Sequence, residues 1–197
     1  MKVVFDSFDG SSNIPARDYV RKKKMVKYFS RLSAAAMVSF GKLANGITLT
    51  PDMPIYYATG PLTHGETSYF HEMCDIFLSS SEPFSNKIFI ERALPKMSPL
   101  HEFGALYNMP VCFISIEYGL VGDNASLCCG AAALLEQAKH SVYRGNIILG
   151  AGKLYPDGRI ESAFAALTKA ELNSIPQFSW DEDAIELFRV LEKEKAL

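Results

Sequence analysis

Residues 119–152 set the tightest limits on how this chain folds. The segment Ala125 to Leu127 predicts a short strand, and two cysteines and Gly130 follow before a helix starts. One buried helix stripe is indicated by apolar residues at helical spacing, namely Ala131, Leu134, Leu135, Ala138 and Val142. Gly145 follows Arg144 where a left-handed residue often ends a helix, so the helix is predicted to run from Gly130 to Arg144.

The next segment, Ile147 to Leu149, is apolar on both faces and predicts a buried strand. The small residues at 150–152 would let the backbone pass close to a neighbour. Cys128 and Cys129 are thus predicted to lie at a tight turn between a central strand and a helix N-terminus. Unpaired N–H groups and the helix dipole favour a thiolate there, and covalent acyl transfer needs such a nucleophile. The alternative is that both cysteines are small buried hydrophobic residues, as free cysteines usually are.

The rest of the chain alternates between strand and helix patterns. The predicted strands are Val3 to Phe5, Pro54 to Thr59 and Glu161 to Thr168, and the predicted helices are roughly 19–44, Thr67 to Leu78 and Asp181 to Leu191. The segment Tyr155 to Gly158 predicts a turn. This order implies a single domain over residues 1–197, with a three-layer α/β fold around a mixed sheet.

The cysteine turn, the Ala-rich helix and the strand ending in glycine together resemble the nucleophile region of β-ketoacyl synthases, in the thiolase-like superfamily. The resemblance spans roughly residues 20–152, and its upstream part is carried by Ser98-Pro99, Asn108-Met109, Tyr118-Gly119-Leu120, Gly122, the basic run 21–25 and the strand 55–60. It implies a thiolase-like half. It also implies a helix for Val111 to Ile116, with Pro110 in its first turn, although the β-branched run alone suggests a strand. For residues 84–97 it implies loop or helix, where Lys87 to Ile90 alone would suggest a strand.

Two departures from the ketosynthase pattern shape the prediction. Counting back from Gly145 places Cys128 at the nucleophile, whereas counting forward from Gly122 overshoots to Ala131, so Cys129 remains the alternative. Ketosynthases are also near double this length, and their second half supplies two catalytic histidines that this sequence lacks. The resemblance further implies that backbone N–H groups near the cysteine bind an oxyanion, and Gly130 leaves room for one.

The resemblance implies one of two functions. The first is acyl transfer or condensation in fatty-acid, polyketide or aryl-polyene-type biosynthesis, with an acyl group passing from acyl carrier protein to Cys128 and a partner completing condensation. The second is a non-catalytic subunit, like a chain-length factor or scaffold, that pairs with a full ketosynthase. Both imply a homodimer or heterodimer. An acidic carrier protein would dock on a basic patch, although a solvated helix end is an equal alternative; the residues concerned are Arg21, Lys23, Lys24 and Lys27.

Composition and residue spacing limit the other functions that this chain could have. The net charge of −2 does not indicate nucleic-acid binding, and no segment has the ~18 apolar residues of a membrane span. Four cysteines without a C-x-x-C spacing indicate reduced thiols and a cytoplasmic setting. The four histidines lack zinc-ligand spacing, so no metal or cofactor is expected; they are His64, His71, His101 and His140. His101 is the one candidate base, and an unrelated small hydrolase would need a His-Asp pair that the sequence does not locate.

Overall fold

The computed structural model describes residues 1–59, 68–79, 83–96, 103 and 106–195. Within these residues lies one five-stranded mixed sheet with the order β1-β5-β4-β2-β3. Its strands are β1 (Lys2–Phe8), β2 (Ile55–Thr59), β3 (Asn124–Leu127), β4 (Ile147–Leu154) and β5 (Ile160–Leu167). Strands β3, β2 and β4 are parallel, while β5 runs antiparallel to both β4 and β1. The sheet is therefore mixed, as predicted.

Helices pack against both faces of this sheet, with α1 (Arg31–Ala44) and α4 (Met109–Tyr118) on one face and α5 (Ala131–His140), α6 (Lys169–Ser174) and α7 (Ala184–Lys195) on the other. Between α1 and α4 the chain forms α2 (Ser68–Leu78) and α3 (Asn86–Ile88, continued by a π-helical turn Phe89–Ala93 and a 3-10 turn Leu94–Lys96). Two 3-10 helices, Ala16–Tyr19 and Lys23–Tyr28, precede α1. Helix α6 was not predicted from the sequence.

The alternation of side chains along the central strands produces the three layers. In β2, Ile55 and Tyr57 belong to the core shared with α1 and α4, while Tyr56 and Ala58 belong to the core shared with α5, α6 and α7. All four are completely buried. A strand buried on both faces has apolar residues at every position, because successive side chains point to opposite sides. The predicted three-layer α/β fold is confirmed.

The predicted helix over 19–44 is wrong in its first half, because α1 begins only at Arg31. Ser30 is its N-cap, and its Oγ accepts the N–H of Ser33 at 3.1 Å. Upstream, the backbone N–H of Arg21 donates to the carboxylate of Glu117 at 2.7 Å. The backbone is non-helical at Val20, Lys22 and Phe29, whose ψ values are 137°, 79° and 128°, so no continuous helix runs through this region.

The predicted end of the helix that follows the two cysteines, α5, is also wrong. Helix α5 ends at His140, and Ser141 follows with an extended ψ of 137°. Gly145 does not adopt a left-handed conformation. Val142, predicted to lie in the buried stripe, is 97% exposed. Tyr143 instead packs against both cores, and its hydroxyl lies 3.1 Å from Thr50 Oγ1, so the chain leaves the helix to place this ring.

The two ambiguous segments are helical in the structure. Helix α4 contains residues 111–116 and has Pro110 in its first turn, as the family resemblance implied. It ends at Gly119, whose φ of 69° is left-handed. Residues 86–96 form α3 and its two continuing turns rather than a strand.

Small residues in β4 allow the close approach that the sequence predicted, although the neighbours are aromatic rings rather than backbone. A Cβ on Gly150 would overlap the ring of Phe164 and lie 2.7 Å from the ring of Tyr57. These two rings stack with centroids 5.5 Å apart. Residues with side chains at this position would therefore displace the pair.

Candidate active site

The carboxyl ends of three parallel strands meet at one edge of the sheet. Ala58 in β2 pairs with Leu127 in β3 on one side and with Ala151 in β4 on the other. Cys128 comes directly after β3 at this edge, and α5 starts three residues later. Ligands of open α/β sheets bind outside the carboxyl ends of the strands, so the cysteines lie at a suitable edge for a functional site.

The two cysteines differ in their surroundings. Cys128 is exposed, whereas Cys129 is half-buried and packs against the core under α5. Burial raises the pKa of the Cys129 thiol, and the neighbouring Cys128 adds to this rise. A raised pKa lowers the fraction of reactive thiolate at neutral pH. Cys128 is therefore the more accessible of the two thiols, and its role as the nucleophile stays a prediction.

The prediction of a central strand before the cysteines is wrong. Within the described residues β3 lies at the edge of the sheet, with β2 as its only strand partner. The predicted turn between strand and helix start is present, because α5 begins at Ala131. Among the described strands none pairs with the outer side of β3, and an edge of this kind can pair with a further strand.

Gly130 is covered by the segment 180–183, which we call the covering loop. The N–H of Ala131 donates to the carbonyl of Glu182 at 2.9 Å, and Gly130 forms an isolated antiparallel bridge with Asp183. A Cβ on Gly130 would overlap that carbonyl oxygen and would lie 3.1 Å from the carbonyl oxygen of Trp180. Only glycine therefore fits beneath the covering loop without displacing it.

This geometry bears on the predicted oxyanion role of Gly130. An oxyanion needs N–H donors aimed at it. The space beside the Gly130 Cα holds two carbonyl oxygens, which are acceptors, and the neighbouring Ala131 N–H already has a partner. The structure thus gives Gly130 a packing role, and its backbone role in oxyanion binding stays a prediction.

An ion pair joins the covering loop to β4. Lys153, near the end of β4, forms an ion pair of 2.8 Å with Asp183. The hydrogen bond to Asp183 raises the pKa of Lys153, which therefore stays charged. Asp183 Oδ1 also accepts the N–H of Ile185 at 3.1 Å, in the first turn of α7. Sequence reasoning missed this pair; its one local signal is a lysine directly after the Gly-Ala-Gly end of a buried strand.

Helix α7 is itself held to the sheet by a buried carboxylate. Glu161 in β5 is almost fully buried, and Arg159 Nη1 contacts its Oε1 at 2.7 Å. Arg189 of α7 pairs with the other carboxylate oxygen, and the hydroxyl of Tyr155 donates to that oxygen at 2.7 Å. The carboxylate is thus surrounded by charged and polar donors, which a buried charge requires.

The four predicted carrier-docking residues differ in the contacts that their side chains make. Arg21 is bound by the buried carboxylate of Glu117, with Nε 3.0 Å away, although its own side chain is 79% exposed. Lys23 Nζ donates to the carbonyl of Arg17. Lys24 is exposed, and so is Lys27, whose Nζ lies 4.8 Å above the Tyr28 ring. The basic segment is a short 3-10 helix rather than the start of a long α-helix.

The histidines bring little to this site within the described structure. His140 is 82% exposed at the far end of α5, where it lies 4.0 Å from Glu136. The side chains of His64, His71 and His101 lie outside the described residues, and so does the proposed base role of His101. Among described residues no group of three His, Cys, Asp or Glu side chains is placed to hold a metal ion.

Comparison with known proteins leaves the family open. No family model matches the sequence. No curated protein matches it either. The described part of the chain also contains no helix with the length and apolar character needed to cross a bilayer.

Proposed function

We propose that this chain is a ketosynthase-like protein that accepts an acyl group from acyl carrier protein on Cys128. The observation that carries the proposal is the exposed thiol of Cys128 at a strand-to-helix turn, on the edge where three parallel strands end. Its half-buried neighbour, Cys129, has a raised pKa and is the weaker candidate. The ketosynthase resemblance of residues 20–152 supplies the substrate class.

The proposed step is a thioester exchange. The thiolate of Cys128 attacks the carbonyl carbon of the carrier thioester, and a new carbon–sulfur bond forms. The bond to the carrier sulfur then breaks, and the carrier leaves as a thiolate that takes up the proton given by Cys128. No oxidant or metal enters this balance. Condensation needs catalytic histidines absent from these 197 residues, so the proposal assigns that step to a partner.

Docking of the carrier is proposed at the basic segment before α1. Lys24 and Lys27 are exposed and suit an acidic partner, while Arg21 is also engaged with Glu117. Electrostatic complementarity of this kind mainly raises association rates.

The reducing setting that the sequence suggested fits four cysteines that are all free.

The alternative is a non-catalytic subunit that pairs with a full ketosynthase or with itself. Two observations favour it. The space beside Gly130 is occupied by carbonyl oxygens, which do not stabilise an oxyanion. Within the described residues β3 is also an edge strand, and an edge strand can pair with a strand from another chain.

Intact mass spectrometry separates the two functions. Purified protein is incubated with acyl carrier thioesters, as wild type and as the matched variants Cys128→Ala and Cys129→Ala. An adduct of acyl mass in wild type and Cys129→Ala, lost in Cys128→Ala, supports acyl transfer. An unmodified chain in all three samples overturns transfer and leaves the subunit role. Turnover to a β-ketoacyl product by this chain alone contradicts the assignment of condensation to a partner.

Sedimentation velocity tests the proposed pairing. A dimer, or a complex recovered with a full ketosynthase, is expected under both functions. The substitution Ser126→Pro places a proline in the middle of β3. It should weaken a dimer paired through this strand, because proline has no N–H to donate to a neighbouring strand. Ser126→Ala is the matched control. A strict monomer that captures no ketosynthase contradicts the pairing.

A further inference from the structure

The covering loop is part of a compact turn that has hydrogen bonds of its own. The N–H of Ser179 donates to the carboxylate of Glu182 at 2.7 Å, and the N–H of Glu182 donates to the carbonyl of Ser179 at 3.2 Å. The hydroxyl of Ser179 also contacts the carboxylate of Asp181. These bonds join the turn to itself rather than to the rest of the chain, so the turn would keep its shape if it moved.

The two ends of this turn are anchored in the core, whereas the turn itself is not. Phe178, on one side, packs against the core beneath α7, and Ala184 and Ile185, on the other side, are buried in that core. Residues 179–182, between these anchors, are exposed. Segments with few buried contacts open locally at a low free energy. The covering loop is therefore a short unit between two fixed points.

Two of the described contacts hold the covering loop against the cysteine turn. The first is the backbone hydrogen bond of 2.9 Å from the Ala131 N–H to the Glu182 carbonyl. The second is the ion pair of 2.8 Å between Lys153 and Asp183, whose side chains are 32% and 31% exposed. Partly exposed ion pairs are weak and are screened by salt. Loss of the ion pair would leave the single backbone bond and the bridge to Gly130.

The covering loop hides groups at the start of α5. Ala131 is the first residue of this helix, and the first N–H groups of a helix have no partner within it. The Glu182 carbonyl supplies that partner from the covering loop. Cys129, one residue before Gly130, is half-buried and packs against the core that includes α7. Movement of the loop would free the Ala131 N–H and reduce the burial of the turn that holds Cys129.

We infer that the covering loop is a hinged flap over the start of α5, and that Lys153 and Asp183 form its latch. The hinges lie at the two anchors, Phe178 and Ala184. When the flap is closed, as in the structure, reagents reach only the exposed thiol of Cys128. When it is open, they also reach Cys129. This inference goes beyond the proposed acyl transfer, because it concerns the second thiol and needs no acyl donor.

The substitution Lys153→Gln removes the latch and leaves the start of α7 intact. Asp183 Oδ1 accepts the N–H of Ile185 at 3.1 Å, and this bond does not involve Lys153. Lys153 Nζ also lies 5.1 Å from the centre of the Tyr155 ring. Lys153→Arg keeps a cation at this position and is the conservative variant that should restore the latch. Circular dichroism and thermal melting establish that each variant is folded.

Hydrogen exchange of the Ala131 amide, followed by NMR on the full chain, measures flap opening. At low salt Lys153→Gln should raise the exchange rate roughly two- to five-fold, the range expected for loss of a partly exposed ion pair. Lys153→Arg should return the rate to that of wild type. At molar salt, where the Debye length is about 3 Å, the wild-type rate should approach that of Lys153→Gln. Lys139→Gln is the matched control, because it breaks a 3.2 Å ion pair with Glu136 on α5 itself and should leave the Ala131 rate unchanged.

Alkylation measures access to the second thiol. In a Cys128→Ala background, peptide mapping follows the labelling of Cys129 by iodoacetamide. The labelling rate should rise by the same two- to five-fold, roughly, when Lys153→Gln is added. It should not rise when Lys139→Gln is added. Agreement between this rise and the rise in Ala131 exchange supports one movement as the cause of both.

Several results would overturn the inference. A wild-type Ala131 amide that exchanges as fast as an unprotected peptide would show that the flap is not closed in solution. Equal exchange rates in wild type and Lys153→Gln at low salt would remove the latch, and faster exchange throughout β4 and β5 would indicate general instability instead. Cys129 labelling that does not follow the Ala131 rate would contradict the control of access. These assays use no carrier thioester, so the inference and the acyl transfer on Cys128 fail separately.

Discussion

Replacing Gly130 with alanine tests the packing between the cysteine turn and the covering loop. The added Cβ would overlap the carbonyl oxygen of Glu182 and press on that of Trp180, 3.1 Å away. Both are backbone atoms, so the covering loop must move. The movement also strains the 2.9 Å hydrogen bond from the Ala131 N–H to Glu182.

The expected loss of stability follows from these two contacts. Overpacking of a filled site costs about 1–3 kcal/mol. A lost backbone hydrogen bond adds about 1 kcal/mol. The free energy of unfolding of Gly130→Ala should therefore fall by roughly 2–4 kcal/mol, which lowers the Tm of a chain this size by about 5–15 °C.

The assay combines thermal melting with fluorescence of the one tryptophan, Trp180, which is 73% exposed within the covering loop. Its emission reports loop displacement separately from global unfolding. Gly119→Ala is the control, because nothing lies within 4 Å of the added Cβ and only its φ of 69° is unfavourable, at roughly 1 kcal/mol. A Gly130→Ala protein with wild-type Tm and unchanged emission would refute the reasoning.

Three further predictions concern other residues. Iodoacetamide should label Cys128 before Cys129 at neutral pH; in Cys128→Ala, labelling of Cys129 should stay slow and rise with pH, because burial raises its pKa. Peptide mapping that finds Cys129 labelled first would contradict this. Tyr56 donates to Asp123 at 2.5 Å, and burial, followed by this bond, raises its pKa. Its contribution to stability is present below the unfolded pKa of about 10 and is lost above it, so urea titrations should show wild type losing more stability than Tyr56→Phe in alkali. Equal losses would argue against it. Thr168→Ala removes the N-cap of α6 and should cost about 1 kcal/mol in urea unfolding, with Asn173→Ala at an exposed position of the same helix as the comparison; an unchanged midpoint would count against the cap.

Local patterns in the sequence were sufficient for much of the fold. The β4 strand, the β4–β5 turn and the start of α5 each depend on residues close in sequence, and each was predicted. The hydrogen bond from the Gly158 N–H to the Tyr155 carbonyl, at 2.9 Å, closes the turn that Pro156 and Gly158 indicated. In these places propensity and tertiary packing favour the same structure.

The predictions from the sequence fail where a contact with a residue distant in sequence determines the local structure. The Arg21 N–H bonds Glu117, 96 residues away, and the long helix predicted there does not form. Tyr143 reaches Thr50, and α5 stops before Val142 can join its stripe. The edge position of β3 depends on strand order, which hydrophobic periodicity does not encode.

For the candidate site, sequence reasoning located the thiols but not what surrounds them. Cys129 packs against the core that includes α7, and the covering loop comes directly before that helix, so both depend on residues distant in sequence. Lys153 and Asp183 are 30 residues apart in sequence and meet only once β4 and α7 are in place. The local sequence marks only the lysine, which follows the Gly-Ala-Gly end of a buried strand, and it does not identify Asp183 as its partner.

The stacked rings of Tyr57 and Phe164 over Gly150 carry a consequence for how this sequence can evolve. The three residues come from three neighbouring strands and share one fixed volume. A gain of a methyl group at 150 is tolerated only together with a smaller residue at 57 or 164. Related chains should therefore vary at these three positions jointly. A larger residue at 150 alone would be selected against because it disrupts packing, whatever its effect on activity.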